Sequence, residues 1–385
     1  MNQSNATSPL GYPPPLTSEP LTKEPKVGDG RGYPQVFRPG EELAEDEIRL
    51  TCCGSGNPFV RRGQAATSWL VEIGNGDKLI FDVGGGAVQN LWSLEIPPEH
   101  LDKLFLTHLH LDHVGDFHVL YDAMVWGREA PLRVWGPSGY TPEMGTAAFV
   151  DHMVKAARWH NESKIGIGPS GGMRTEVSEF DVRSLTPDKP QVLVYEENGV
   201  RISAFPVVHC IFGAVGYRLE WNGLSLSFHG DGTPSRFEAE QAAGVDLFMH
   251  EGFVDAETFA DKAGIPLQVT ESIVGEHTTG DRFGELCQIV QPRMAVAYHY
   301  TVNADTIDPF FSLLRSTWDG PAVLAQDLTV INLAREQITV RQAETDPLHW
   351  PPPAPPDRSP PVMEEYSEAA IPEWLVGTTL TDPAR

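Results

Sequence analysis

A chain of 385 residues, 41% of them apolar and 21% charged, can bury a sizeable core as one large or two ordinary domains. No apolar run is long enough to cross a bilayer, so the reading has no membrane partner. The 28 Lys and Arg against 53 Asp and Glu leave a formal charge of −25, which disfavours a nucleic-acid substrate, because phosphate backbones are held by Lys and Arg with release of counterions.

Arg61-Arg62 is an isolated basic pair, not a patch. The start, Met1-Asn2-Gln3-Ser4-Asn5-Ala6-Thr7-Ser8-Pro9, lacks the basic and apolar regions of a secretory leader. Cys52, Cys53, Cys210 and Cys287 fit neither a disulfide framework nor a C-x-x-C zinc pattern. Buried free thiols in a reducing, cytoplasmic compartment are the expectation.

In chain order, residues 1–45 are rich in Pro, Gly and Ser-type residues around Pro13-Pro14-Pro15, the composition of an extended arm. Strands are predicted over 48–53, 68–73 and 78–82. They are punctuated by Gly54-Ser55-Gly56-Asn57-Pro58 and Gly74-Asn75-Gly76-Asp77, and the third runs into Val83-Gly84-Gly85-Gly86. A helix follows over 87–94, then a buried strand over 101–106 that delivers Thr107-His108-Leu109-His110-Leu111-Asp112-His113 into a loop. Helices are expected after His113 and over 141–159.

The stretch 161–181 contains Gly166-Ile167-Gly168-Pro169-Ser170-Gly171-Gly172. No Gly-Lys-Ser/Thr follows it and no strand leads into it, so it reads as a lid or insertion, not a phosphate loop. Further strands are predicted over 191–195, 200–208, 216–221, 224–228 and 294–298. The tail from 343 to 385 returns to Pro-rich sequence with Pro351-Pro352-Pro353 and Pro360-Pro361. Hairpins with interleaved helices fit an α/β architecture of two mixed sheets faced by helices over 46–342, flanked by Pro-rich extensions, better than a doubly wound parallel sheet.

His108, His110, Asp112 and His113 place three imidazoles and a carboxylate within six residues. Neutral imidazole suits zinc, and a nearby carboxylate supplies a harder oxygen ligand. Four residues cannot complete two zinc sites, so further ligands are sought at strand ends. Three residues meet that condition: His209 after 204–208, Asp231 after 224–230 and His299 after 294–298. A lone His or Asp at a strand end is ordinarily a capped or solvated polar residue, but three of them beside H-x-H-x-D-H are hard to attribute to accident. His229, two residues before Asp231, stays open as a local alternative ligand.

With H-x-H-x-D-H followed by His, Asp and His in this order, the chain resembles the metallo-β-lactamase-fold hydrolase superfamily. The resemblance implies an αββα sandwich with a two-metal site along its edge. His108, His110 and His209 would hold one zinc, Asp112, His113 and His299 a second, and Asp231 would bridge both. Phe81-Asp82-Val83-Gly84 is similar to the family's Asp-x-Gly, whose aspartate supports a ligand histidine.

Gly54-Ser55-Gly56-Asn57-Pro58, His250-Glu251 and Glu276-His277-Thr278-Thr279 resemble the branch that contains tRNA-processing ribonuclease Z and related arylsulfatases. There Glu251 would orient His277, which would protonate a leaving group or stabilise developing charge. An ordinary helix-start histidine is the other reading of His277. Arg133-Val134-Trp135-Gly136-Pro137-Ser138-Gly139 also looks like bacterial metallo-hydrolases assigned to guanitoxin biosynthesis. Two departures stand out: Gly230-Asp231-Gly232-Thr233 replaces Gly-Asp-Thr, and the flexible basic arm that ribonuclease Z uses on tRNA is not apparent.

The implied protein is a homodimeric hydrolase with two zinc ions, or other divalent metals in their place, that uses a metal-bridging hydroxide on a small molecule, a sulfate or phosphate ester. Asp112 and Asp231 would bind metal and accept a hydrogen bond from the nucleophile. The alternatives are a lactone or amide, hydrolytic dehalogenation of an activated aromatic, or a di-iron redox protein. The last would carry an additional carboxylate after the cluster, where this chain has His113-Val114-Gly115-Asp116. Trp126, Trp159 and the 161–181 segment are expected either to wall the cavity or, for each Trp, to pack in the core.

Overall fold

The computed structural model describes residues 34–59, 61–128, 130–163, 174–348 and 371–379. Most of both Pro-rich arms, and 164–173 of the expected lid, lie outside the described residues. The first strands are β1 (Val36–Phe37), β2 (Ile48–Gly54), β3 (Ser68–Ile73), β4 (Lys78–Phe81), β5 (Lys103–Phe105), β6 (Leu132–Pro137) and β7 (Thr175–Phe180). They are followed by β8 (Val192–Glu197), β9 (Val200–Pro206), β10 (Val215–Trp221), β11 (Leu224–His229), β12 (Leu247–Glu251), β13 (Met294–Tyr298) and β14 (Ala322–Leu324). Last come β15 (Thr329–Leu333) and β16 (Ile338–Ala343).

Among the described residues these form two sheets, in the orders β1-β16-β15-β2-β3-β4-β5-β6-β7 and β14-β13-β12-β11-β10-β9-β8. Strands β4 to β7 are mutually parallel, as are β11 to β14. Because β9 and β11 both run antiparallel to β10, they run parallel to each other. The chain therefore leaves β9, β11, β12 and β13 at one edge of the second sheet, where ligands gather in α/β folds.

Period-two alternation decides what fills each layer. In β3, Trp69, Val71 and Ile73 face the second sheet while Leu70 faces outward, and in β12 Leu247 and Met249 face inward while Phe248 faces outward. Between the sheets lies an aromatic core of Trp69, Phe81, Phe105, Trp135, Tyr217, Phe228 and Tyr298. Removing each from water stabilises the fold by about 2–3 kcal/mol.

Outside the first sheet, α1 (Ala87–Trp92), α2 (Leu111–Val114), α3 (Phe117–Gly127) and α4 (Thr146–Ala156) bring Val88, Leu91, Val114, Phe117 and Val150 against Leu70, Ile80, Leu104 and Val134. α5 (Arg158–Ser163) follows directly. Beyond them in the chain are α6 (Arg236–Gln241), α7 (Ala256–Ala263), α8 (Leu267–Val274), α9 (Gly280–Val290) and α10 (Ala304–Thr317). From these, Ala239, Phe283, Leu286, Phe310 and Leu314 pack against Phe248, Ala295 and Ala297 on the outer face of the second sheet. The layers read helix, sheet, sheet, helix, as expected. Among the described residues, no helix is long and apolar enough to cross a membrane.

Three local expectations change. The helix predicted over 141–159 is divided into a turn at Pro142–Met144, then α4, then α5, because Pro142 and Gly145 interrupt the helical run. Thr175–Phe180, read as part of a lid, pairs along its whole length with β6 as the edge strand β7. Its half-buried Thr175 and Val177 alternate with exposed Glu176 and Ser178, and Phe180 is buried. Val36 and Phe37, read as arm, pair in parallel with β16, and the guanidinium of Arg49 sits 4.7 Å over the Phe37 ring.

Candidate metal centre

Strand β4 ends at Phe81, and Asp82 then turns the backbone into the left-handed region at φ 55°. Its buried carboxylate accepts the Thr107 N–H at 2.8 Å, the Thr107 hydroxyl at 2.7 Å and the Nδ1–H of His113 at 2.7 Å. Three donors on one carboxylate fix the loop after β5 and commit His113 to the tautomer whose Nε2 is a lone pair. Gly84 is required next: a Cβ there would stand 2.1 Å from the Asp112 carbonyl oxygen. Only glycine lets α2 seat on the end of β4. His110 occupies the N-cap of α2, with Asp112 and His113 in its single turn.

The strand ends bring these side chains together. His113 Nε2 lies 3.1 Å from Asp231 Oδ1 and 3.7 Å from Asp112 Oδ2. His299 Nε2 lies 3.1 Å from Asp112 Oδ2 and 3.2 Å from Asp231 Oδ2. His108 Nε2 is 3.8 Å from Asp231 Oδ2, and His209 Nε2 is 3.3 Å from His110 Nδ1. Two overlapping donor groups result, His108/His110/His209/Asp231 and Asp112/His113/Asp231/His299, with Asp231 common to both. His299 is itself held at φ 64°, its N–H bonded to the Ser55 carbonyl at 2.7 Å. Left-handed backbone at non-glycine residues costs about 1–3 kcal/mol and clusters at functional sites.

The donor set fits metal ions. His108 Nε2, His113 Nε2 and Asp231 Oδ1 are fully buried without a hydrogen-bond partner, which a soluble fold tolerates only where another species satisfies them. Five imidazoles and two carboxylates are a zinc-type set. The site's electrostatics call for positive charge. Burial opposes an imidazolium at His113, yet Asp231, Asp82 and Asp112 push its pKa up to about 10. Burial likewise opposes ionisation of Asp112, yet His113 and His299 hold it at about 2.

Beside this group stand the two residues taken as an acid pair. Glu251, at the end of β12 and fully buried, places Oε1 3.1 Å from His277 Nδ1. The same oxygen accepts the N–H groups of Thr278 at 3.1 Å and Gly232 at 3.2 Å, so it is fixed from three sides. Burial lowers the basicity of His277, but Glu251 outweighs it and raises the pKa. The His277 ring stacks on Phe253 at 4.5 Å, a contact absent from the sequence reading although Phe253 lies only two residues beyond Glu251. Thr107 is a second such omission, with its hydroxyl 3.0 Å from His108 Nδ1.

Other expectations are redirected. His229 does not join the Asp231 group; it faces Glu238 and His250 instead. Cys210, expected to be buried, is exposed, because it follows His209 on the loop at the mouth, where its Sγ lies 3.5 Å from His110 Nε2. Cys52, Cys53 and Cys287 are buried. Asp116 accepts the Val88 N–H at 3.0 Å, which directs its carboxylate to the start of α1. Trp159 is 83% exposed, so it is not a core residue; the Trp126 side chain lies outside the described residues.

The Metallo-beta-lactamase superfamily signature matches residues 61–235. A ribonuclease Z of Mycolicibacterium paratuberculosis is 32% identical over 211 residues, covering 53% of this chain and 69% of that protein. The chain belongs to the metallo-beta-lactamase superfamily. A ribonuclease Z of Mycolicibacterium gilvum is 25% identical over 295 residues, covering 73% of this chain and 94% of its own length. Human tRNase Z, short form, superposes with a TM-score of 0.54 at 17% identity, covering 74% of this chain and 98% of that one. As a member of the metallo-beta-lactamase superfamily the chain is a metal-dependent hydrolase.

Proposed function

We propose that this hydrolase cleaves a small sulfate or phosphate ester with an apolar leaving group, using two zinc ions held by the donor groups that share Asp231. The observation that carries the reading is the Glu251–His277 pair, a fixed proton donor beside the metal donors and suited to an oxygen leaving group. When bound, the metals lower the pKa of water and polarise the bond under attack. His277 then delivers a proton to the departing oxygen, while Asp112 and Asp231 orient the attacking water through hydrogen bonds.

The mouth favours a small substrate. Residues 108–116 and 207–214 contain no Lys or Arg, and Leu111, Val208, Ile211 and Phe212 are exposed there. A groove of about 540 Å³ beside the pair is lined by Thr233, Arg236, Glu271, His277, Arg282 and Glu285; Arg282 is bound to Glu285 at 2.7 Å, which leaves the Arg236 guanidinium to meet an anionic ester. The second reading is RNA phosphodiester hydrolysis, favoured by the relatives named ribonuclease Z. Asp116, turned to α1, supports the hydrolytic over the di-iron reading.

A substrate panel tests this directly: aryl sulfates, aryl phosphodiesters, lactones, haloaromatics and a precursor tRNA with a 3′ trailer. Turnover of an aryl ester without tRNA cleavage is expected. Turnover of the lactone alone, or cleavage of the tRNA, would overturn the ester assignment.

Asp82→Asn offers a separate check on the ligand set. The amide turns an N–H toward one of the three donors that the carboxylate now accepts, releasing His113. Metal affinity is expected to fall roughly 10–100-fold, the usual cost of losing a group that orients a ligand. Competition against a graded chelator reads it, and unchanged affinity would remove His113 from the ligands.

A further inference from the structure

Behind the metal centre lies a second buried group. His229 ends β11, His250 is the penultimate residue of β12, and Glu238 stands in the first turn of α6. Because successive strand residues face opposite sides of a sheet, His250 points away from Glu251 and toward the helix layer. Glu238 Oε2 lies 3.7 Å from His229 Nδ1 and 3.9 Å from His250 Nε2. These separations exceed a hydrogen bond and fall beside the 3.1–3.8 Å found among donors of the main centre.

All three atoms are buried and without a hydrogen-bond partner. The other polar atoms of the group are occupied. Glu238 Oε1 accepts the Ser235 N–H in the capping box of α6, and Ser227 Oγ lies 2.7 Å from His229 Nε2. His250 donates Nδ1–H to the Glu251 carbonyl at 2.8 Å, so its neutral ring turns a lone pair toward Glu238 Oε2. A lone pair and a carboxylate oxygen face each other stably only with positive charge between them. Aromatic rings pack around the two imidazoles: Phe205 and Phe248 each lie 5.1 Å from His229, and Phe283 lies 6.0 Å from His250.

We propose that His229, Glu238 and His250 bind one additional divalent ion of the zinc class, selected by two imidazole nitrogens and one carboxylate oxygen. The ion is structural, with a bound water as the fourth ligand that tetrahedral zinc requires: it ties α6 to the ends of β11 and β12, beside Asp231 and Glu251. The site is closed from the mouth, since all three side chains are fully buried.

Diffraction at the zinc absorption edge from crystals of the zinc-loaded full chain tests this. An anomalous peak between His229 Nδ1, Glu238 Oε2 and His250 Nε2 is the expected result. In Glu238→Gln, which keeps an acceptor for the Ser235 N–H, that peak and one equivalent of bound metal are lost while the peaks at Asp231 remain. A wild-type map with peaks only at Asp231 would overturn the proposal and assign the positive charge to a proton on His250. If the variant does not fold, the wild-type map decides alone. Absence of peaks at Asp231 would count against the two-zinc reading without bearing on this site.

Discussion

Replacing Asp231 by Ala is expected to lower kcat/KM by roughly 10³- to 10⁴-fold, equivalent to about 4–5.5 kcal/mol of lost transition-state stabilisation. Metal content at the main centre should fall with it. The size of the effect follows from position. Asp231 is the one residue within reach of both donor groups, and its two oxygens face His113, His299 and His108 at 3.1–3.8 Å. Each of the other six candidate ligands belongs to only one of these two groups, so its substitution leaves the other group intact. Removal of Asp231 also strips the charge that balances the surrounding imidazoles, so a folded variant should bind metal weakly at both positions, not at one. Elemental analysis after gel filtration, with circular dichroism as a check on folding, separates loss of metal from loss of structure. Full metal content and activity in a folded Asp231→Ala protein would sink the shared-ligand assignment.

The candidate donors were legible because they sit where local pattern is strongest. His108, His110, Asp112 and His113 are contiguous after a buried strand, and His209, Asp231 and His299 each follow an apolar run whose end could be read directly. The Asp82–Val83–Gly84 step was legible only through its likeness to the family's Asp-x-Gly, and what Gly84 makes room for, the Asp112 carbonyl, was not.

Juxtapositions made by register were hidden. His229 and His250 meet because Phe228 pairs with Met249 in adjacent parallel strands, and nothing in their separation along the chain announces that pairing. Glu238 joins them only because its capping box with Ser235 starts α6 at that point. The alternation in β7 was present in Thr175-Glu176-Val177-Ser178, but the adjoining glycine-rich stretch dominated its reading. Exposure of Cys210 follows from its place on the loop closed by the Val207–Ala214 backbone bond, beside His110, a tertiary placement that residue type opposes.

The other large effect expected is at His277, and it depends on the leaving group. In His277→Ala, turnover of an ester with a poor, basic leaving group should fall about 10²–10³-fold, whereas an activated nitrophenyl ester should lose less than about 10-fold. The reason lies in the geometry of the pair. Glu251 Oε1 is pinned by Gly232 and Thr278 and in turn holds His277 Nδ1, while Phe253 fixes the plane of the ring. The imidazole therefore has a single orientation, with its charged form favoured by Glu251. A departing alkoxide or phenoxide of high basicity needs that proton in the transition state, and a nitrophenoxide leaves without it. A plot of log kcat/KM against leaving-group pKa should thus be shallow for the wild-type enzyme and steep for the variant. Added imidazole should restore the poor substrate preferentially. A merely structural histidine at the approach to α9 would instead lower all substrates by one common factor, leaving the slope unchanged. That outcome would return His277 to an ordinary helix-start residue and leave Glu251 as a buried anchor for the Gly232 and Thr278 backbone.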